Sequence, residues 1–304
     1  MSNSVRVFQV DAFTSRRFSG NPAGVVLDAD PLSGGDMQAL ARELNNGDTA
    51  FLLRPDADDH DLRVRFFTPR REAAFVGHAT LAAHAVLATL KLEPRRRQKQ
   101  SNGIVAVDSI SGAWPPRIAI HLAPPRLQRR LEAGELSALL DALTLTHAEL
   151  DAQCPAMLAG DSSARVLLGV QHGTTLARLR PDLARLTVLS AELGAPGFFL
   201  FSRQPSLPHV YSEARMFCPA LGIPEDPVSG NAHALLGAYL LQQRLIGPET
   251  AAPGGTTVEF TGAQGHHMGR PGRVTVALNL EGEQLESVSI LGEAVVVFDT
   301  TLEF

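Results

Sequence analysis

The feature that most constrains this chain is an internal echo, offset by about 150 residues in a sequence of 304. Its first copy reads Val64-Arg65-Phe66-Phe67-Thr68-Pro69, then Glu72, then Gly77-His78-Ala79 opening a run rich in Ala and Leu. The second reads Ala214-Arg215-Met216-Phe217-Cys218-Pro219, then Glu225-Asp226, then Gly230-Asn231-Ala232-His233 opening another such run. Each copy spells strand, proline-containing turn, acidic residue, small-residue elbow and helix. A repeat of domain length points to two related domains, each large enough to bury a core of its own. The copies are not identical in spacing: Pro69 precedes Gly77 by eight residues, and Pro219 precedes Gly230 by eleven.

Around the echo, short runs read as strands, several with apolar and polar residues in alternation. They cover residues 5–10, 23–27, 49–53, 62–67, 104–107 and 117–122, and then 165–170, 197–201, 214–217, 274–280 and 287–298. Four segments read as helices, at 36–46, 79–90, 135–143 and 232–245. In the first of these, Met37, Leu40, Ala41 and Leu44 recur at helical spacing and form one apolar stripe. Many strands with few helices indicate an α+β class rather than a doubly wound parallel sheet.

A hydrophobic fraction of 44% and a charged fraction of 19% describe an ordinary globular chain. The net charge of -5 supplies no basic field for nucleic acid or an anionic membrane surface. The single basic run, Arg95-Arg96-Arg97-Gln98-Lys99, is expected to decorate an exposed loop. Cys154 and Cys218 share no metal-ligand spacing, so a disulfide framework and a zinc site are not expected and a reducing cytoplasm fits. The chain starts almost at once on strand-like sequence, and no run of ~20 apolar residues occurs, so neither secretion nor membrane insertion is expected.

Three residues stand out for chemistry. Glu43 lies in the first helix beside the apolar stripe, where partial burial would raise its pKa toward neutrality and let it take and return a proton. Without more, a glutamate there reads as a solvated surface residue, and only the family resemblance given below turns that reading round. His78 follows Gly77 at a helix start, where the dipole disfavours imidazolium and keeps a ring able to donate and accept; a capping histidine is the plainer reading. Asp226 precedes Pro227 and can close a turn or accept a hydrogen bond from a substrate, while Gly230 and Asn231 offer helix-start N–H groups to a carboxylate. Ser229 lacks the flanking glycines of a nucleophile elbow. There is no dinucleotide or P-loop glycine motif and no paired-histidine metal motif, so chemistry must rest on side chains.

Asp11-Ala12-Phe13-Thr14 through Gly20-Asn21-Pro22-Ala23-Gly24-Val25, Phe67-Thr68-Pro69 through Gly77-His78-Ala79-Thr80-Leu81, and Glu225 through Ala232 together resemble the phenazine-biosynthesis PhzF-like family. The late turn Gln264-Gly265-His266-His267-Met268-Gly269-Arg270-Pro271-Gly272 is similar too, so the match runs almost end to end. The resemblance implies a diaminopimelate-epimerase-like fold: two similar half-barrel domains, each a mixed sheet wrapped around a central helix, with the active site in the cleft between them. Residues 1–122 plus 291–304 would form one domain and 123–290 the other. It implies a homodimer and a cofactor- and metal-independent isomerase that shifts a proton on a small unsaturated carboxylate, such as trans-2,3-dihydro-3-hydroxyanthranilate. It places the catalytic glutamate on Glu43, with His78 and Asp226 as its partners, and substrate contacts on Gly77, Gly230 and Asn231. Two departures are visible. Where the family has a Ser-Glu-Thr-Ala-Phe-like stretch, this chain reads Asn46-Gly47-Asp48-Thr49-Ala50-Phe51, with Gly47 expected to loosen the backbone; and Asn231 stands where a small hydroxyl residue is common. A two-thiol racemase on this fold is disfavoured because neither elbow holds a Cys. A glutamate-based amino-acid epimerase and a non-catalytic carboxylate-binding member remain open.

Overall fold

The alternating runs become paired strands within two units, Met1–Leu122 with Leu291–Phe304, and Ala123–Ile290. The structure, a computed structural model, describes residues 4–94, 96–110, 112, 114–161, 164–247 and 256–303.

The first unit runs β1 (Ser4–Ala12), β2 (Asn21–Leu27), α1 (Gly34–Leu44), β3 (Asp48–Leu53), β4 (Leu62–Phe67), β5 (Glu72–Ala73), α2 (Gly77–Thr89), β6 (Arg97–Gln100), β7 (Gly103–Ile110) and β8 (Arg117–Leu122). It ends with the later part of the C-terminal strand, Gln284–Glu303. Pairing passes from β1 to β2, β3, β4, β6, β7 and β8, and through the C-terminal strand back to β1, which closes the ring. The β2–β3 and β4–β6 pairs are parallel. Inside lies α2, whose residues from Ala79 to Leu87 are all buried. A helix apolar on every side needs such an enclosure, and α2 packs on β1, β2, β3, β7 and β8. The other face of the sheet is covered by α1, where Met37, Leu40 and Ala41 meet Val5, Val26 and Phe51. Ser33 and Asp36 close a capping box at the start of α1, and left-handed Asn45 stops it.

The second unit runs β9 (Leu127–Arg130), α3 (Ala133–Leu143), β10 (Met157–Ala159), β11 (Arg165–Gly169), α4 (Gly173–Arg178), α5 (Leu183–Leu193), β12 (Gly197–Ser202), β13 (Ser212–Cys218), β14 (Ile223–Asp226), α6 (Gly230–Gln242), β15 (Thr257–Gln264) and β16 (Gly272–Glu281). Strands β9 to β13, then β15 and β16, pair in sequence, with β11–β12 and β13–β15 parallel. Buried α6 packs on β9 and β16. Helices α3 and α5 cover the outer face, setting Leu139, Leu143 and Leu186 against Val166, Phe198 and Leu200.

Each unit is therefore a mixed sheet around a central helix, and the echo has a structural meaning. Arg65 holds Glu72 through two contacts of 2.7 and 2.8 Å and lies 5.0 Å from the Phe67 ring centre. Arg215 holds Glu225 through contacts of 2.8 and 2.7 Å and lies 5.0 Å from that of Phe217. The unequal spacing resides wholly in the turn after proline, where the second copy inserts the 3₁₀ turn Pro219–Leu221 and left-handed Gly222. From glutamate to helix-start glycine both copies take five residues.

Some sequence expectations need correction. Helices α4 and α5 lie outside the four helical segments read from the sequence, although Asp182 caps α5 and left-handed Gly194 ends it. Arg97 to Lys99 form part of β6 rather than a loop, with Gln98 buried and Arg97 bonded to Asp61; Arg95 lies outside the described residues. Among the described residues no helix is long and apolar enough to cross a membrane.

Candidate functional site

The first elbow brings two ionisable groups together. Asp48 opens β3 and His78 lies in the first turn of α2, with His78 Nε2 3.8 Å from Asp48 Oδ2 and side-chain exposures of 12% and 13%. That distance exceeds a hydrogen bond, and His78 Nε2 is buried without a hydrogen-bond partner. Burial pushes the His78 pKa down to about 4, so the ring is neutral at pH 7. A carboxylate beside a neutral imidazole with an unfilled nitrogen can take a proton from a ligand and pass or share it. A closure of about 1 Å makes the hydrogen bond, and such contacts are often long before substrate binds. The approach to Asp48 is held by Asn46, whose amide exchanges two hydrogen bonds with Gln9 of β1, at 2.8 and 3.0 Å. Gly47 has no left-handed φ and a Cβ there would touch nothing within 4 Å, so neither backbone conformation nor space requires a glycine at that position.

Glu43 does not meet its expectation, because its side chain is exposed on α1. At 100° per residue it lies roughly 110° from the centre of the Met37, Leu40, Ala41 and Leu44 stripe, beyond the buried arc. The burial on which its proton-carrying role depends is absent. Asp48, which sequence reasoning passed over as a departure from the family pattern, is the half-buried acid; its sequence signal was the acidic residue immediately before Thr49-Ala50-Phe51.

In the second elbow, Asp226 ends β14, half-buried and opposite Met216 in the ladder, rather than merely closing a turn before Pro227. Ser229 caps α6 by accepting from the Ala232 N–H. Gly230 is buried at the helix start, and Asn231 next to it has a buried Oδ1 with no hydrogen-bond partner. An unfilled buried acceptor at a helix start suits a ligand that brings an N–H or O–H. Gly77 is likewise buried at the start of α2. Both thiols are free and buried, and burial pushes each up to about 12, so neither ionises near neutral pH. No group of three or more His, Cys, Asp or Glu among the described residues is arranged to hold a metal.

Three histidines, His78, His84 and His233, are pushed down to about 4 by burial. In the unfolded chain each titrates near its ordinary value, so between about pH 6.5 and 4 the unfolded state binds more protons and stability must fall as pH falls. We expect denaturant unfolding at pH 5 to show a loss against pH 8 on the order of 2 kcal/mol for each such histidine. His84→Gln should remove one share of that slope, and a pH-independent midpoint between 5 and 8 would contradict the burial assignment.

The family model for phenazine biosynthesis-like proteins matches residues 10–300. An uncharacterized isomerase of Salmonella typhimurium, YddE, is 38% identical over 96% of this chain and 96% of its own. The trans-2,3-dihydro-3-hydroxyanthranilate isomerase of Pseudomonas aeruginosa is 30% identical over 94% of this chain and 95% of its own. A PhzF-family phenazine biosynthesis protein from Bacillus anthracis, known from a crystal structure, superposes with a TM-score of 0.84 at 26% identity and 99% coverage of both chains.

Proposed function

Since this chain belongs to the phenazine biosynthesis-like protein family, we propose that it is an isomerase shifting a proton on a small unsaturated carboxylate, with Asp48 rather than Glu43 as the proton carrier. The observation that carries this reading is the approach of half-buried Asp48 to neutral His78 at the start of α2. The Asp48 carboxylate removes a proton from an activated C–H; the electron pair moves along the conjugated system, and the same proton, or one exchanged with solvent, forms a new C–H bond at another carbon. Atoms and charge balance within the substrate, and the side chains alone supply the acid and base. His78 Nε2, the ring's unfilled nitrogen, donates to the Asp48 carboxylate as the two close and so orients it. In the second unit Asp226 accepts from an amine or hydroxyl, Asn231 Oδ1 accepts a second such donor, and the helix-start amides at Gly230 and Asn231 suit a carboxylate; in the first unit the Gly77 amide beside His78 offers a helix-start donor of the same kind.

The test is proton NMR of the purified protein with trans-2,3-dihydro-3-hydroxyanthranilate in D₂O, followed by other small unsaturated or amino carboxylates. Isomerisation, with or without deuterium in the product, supports the reaction class. Binding without turnover of any of them would favour a carboxylate-binding protein; deuterium exchange at a stereocentre with inversion would favour an epimerase.

A further inference from the structure

One buried side chain bridges the second elbow. Gln264, at the end of β15 and 1% exposed, donates from Nε2 to the Asp226 carbonyl at 2.7 Å and accepts at Oε1 from the Ser229 N–H at 3.0 Å. One amide thereby bridges both ends of Asp226-Pro227-Val228-Ser229, the stretch that carries the Asp226 carboxylate and delivers Gly230 and Asn231 to the helix start. The next residue presses on the same elbow: Gly265 has φ 85°, and a Cβ there would stand 2.8 Å from the Pro227 carbonyl oxygen.

The duplicate shows that this bridge is not a generic property of the scaffold. Leu62 pairs with Gln98 as Ser212 pairs with Gly262, each three residues before its paired arginine, so Gln100 is the counterpart of Gln264. In the first unit the Gln98 amide donates to Gln100 Oε1 at 2.9 Å. In the second, Gly262 has no side chain, and the His233 ring occupies the space where its Cβ would point. Gln264 is left for the elbow. Asp226 itself has the ladder position that Ala73 has in the first unit, opposite Met216 and Phe66 respectively. The same residue type is thus turned to the elbow in the unit where the elbow bears a carboxylate.

We propose that Gln264 is a positioning residue, whose amide fixes the Asp226–Asn231 stretch in the conformation that binds substrate. The clamp is a claim about the fold; its service to catalysis rests on the function proposed above.

The experiment uses the full chain with Gln264→Leu, which removes both bonds, and Gln264→Asn, one methylene too short to span them. Should the first not fold, the second still decides. Amide hydrogen exchange at Ser229 is expected to accelerate about tenfold or more in each. With trans-2,3-dihydro-3-hydroxyanthranilate, KM should rise about tenfold or more while kcat changes far less, a split that lowered global stability does not produce. Tyr239→Phe, which loses a partly buried bond to the Pro155 carbonyl in the same unit, should leave Ser229 exchange and KM alone. Unchanged Ser229 exchange in the folded variants overturns the clamp, and faster exchange with unchanged KM overturns its role at the site. A wild-type protein inert toward the probe sinks the proposed reaction on that substrate, and Ser229 exchange still decides the clamp.

Discussion

Asp48→Asn is expected to lower turnover by about 10² to 10⁴-fold, the usual worth of a positioned acid or base, whereas Glu43→Gln should leave it within about twofold. The amide is isosteric with the carboxylate, so packing at the start of β3 survives and only the capacity to carry a proton is lost. Thermal midpoints close to wild type would confirm that the loss is chemical. Asp48→Glu restores a base on a longer stem and should recover part of the rate if reach is tolerated. The opposite pattern, an inactive Glu43→Gln beside an active Asp48→Asn, would return the proton carrier to α1 and remove the mechanism. The experiment discriminates because the two acids differ in surroundings: Glu43 stands in solvent, while Asp48 is half-buried beside His78.

That contrast also marks where the sequence stops being readable. The echo identified two related units because strand, turn and elbow recur as local patterns that need no knowledge of contacts. Residues 117–122 read as a strand from apolar alternation alone, and they form β8. Helix α5 was legible by the same local means, since Leu186, Leu189 and Leu193 recur at helical spacing between the Asp182 cap and the Gly194 stop. The expected burial of Glu43 fails because adjacency to an apolar residue on a helix does not place a side chain on the buried arc. Asp48 and His78 are thirty residues apart in sequence, and only the pairing of β3 with β4 and the return through β5 to α2 bring them together. The bridge from Gln264 to Asp226 is equally non-local.

The two copies of the arginine–glutamate bridge provide an internal experiment in burial. Both are two-pronged, at 2.7 and 2.8 Å, and both guanidinium groups lie over a phenylalanine. In the first unit Arg65 and Glu72 are 38% and 40% exposed; in the second, Arg215 and Glu225 are 10% and 15% exposed, and Arg215 also donates to the Leu176 carbonyl at 2.8 Å. Exposed pairs are worth about 0–1 kcal/mol, because water competes for both charges. Removing one partner of a buried pair typically costs about 3–5 kcal/mol, because the other charge stays desolvated and unpaired. Arg65→Met should therefore shift a urea midpoint slightly, and Arg215→Met should shift it severely at similar slope. Adding Glu225→Leu to Arg215→Met should recover much of the loss, since the stranded carboxylate rather than the missing contact is the main cost. Equal losses in the two single variants would mean that burial does not decide the worth of this bridge. Glu225 directly precedes Asp226, so the same substitution is also expected to disturb the second elbow, and Ser229 exchange in Arg215→Met would show whether the ion pair and the Gln264 amide hold that elbow jointly.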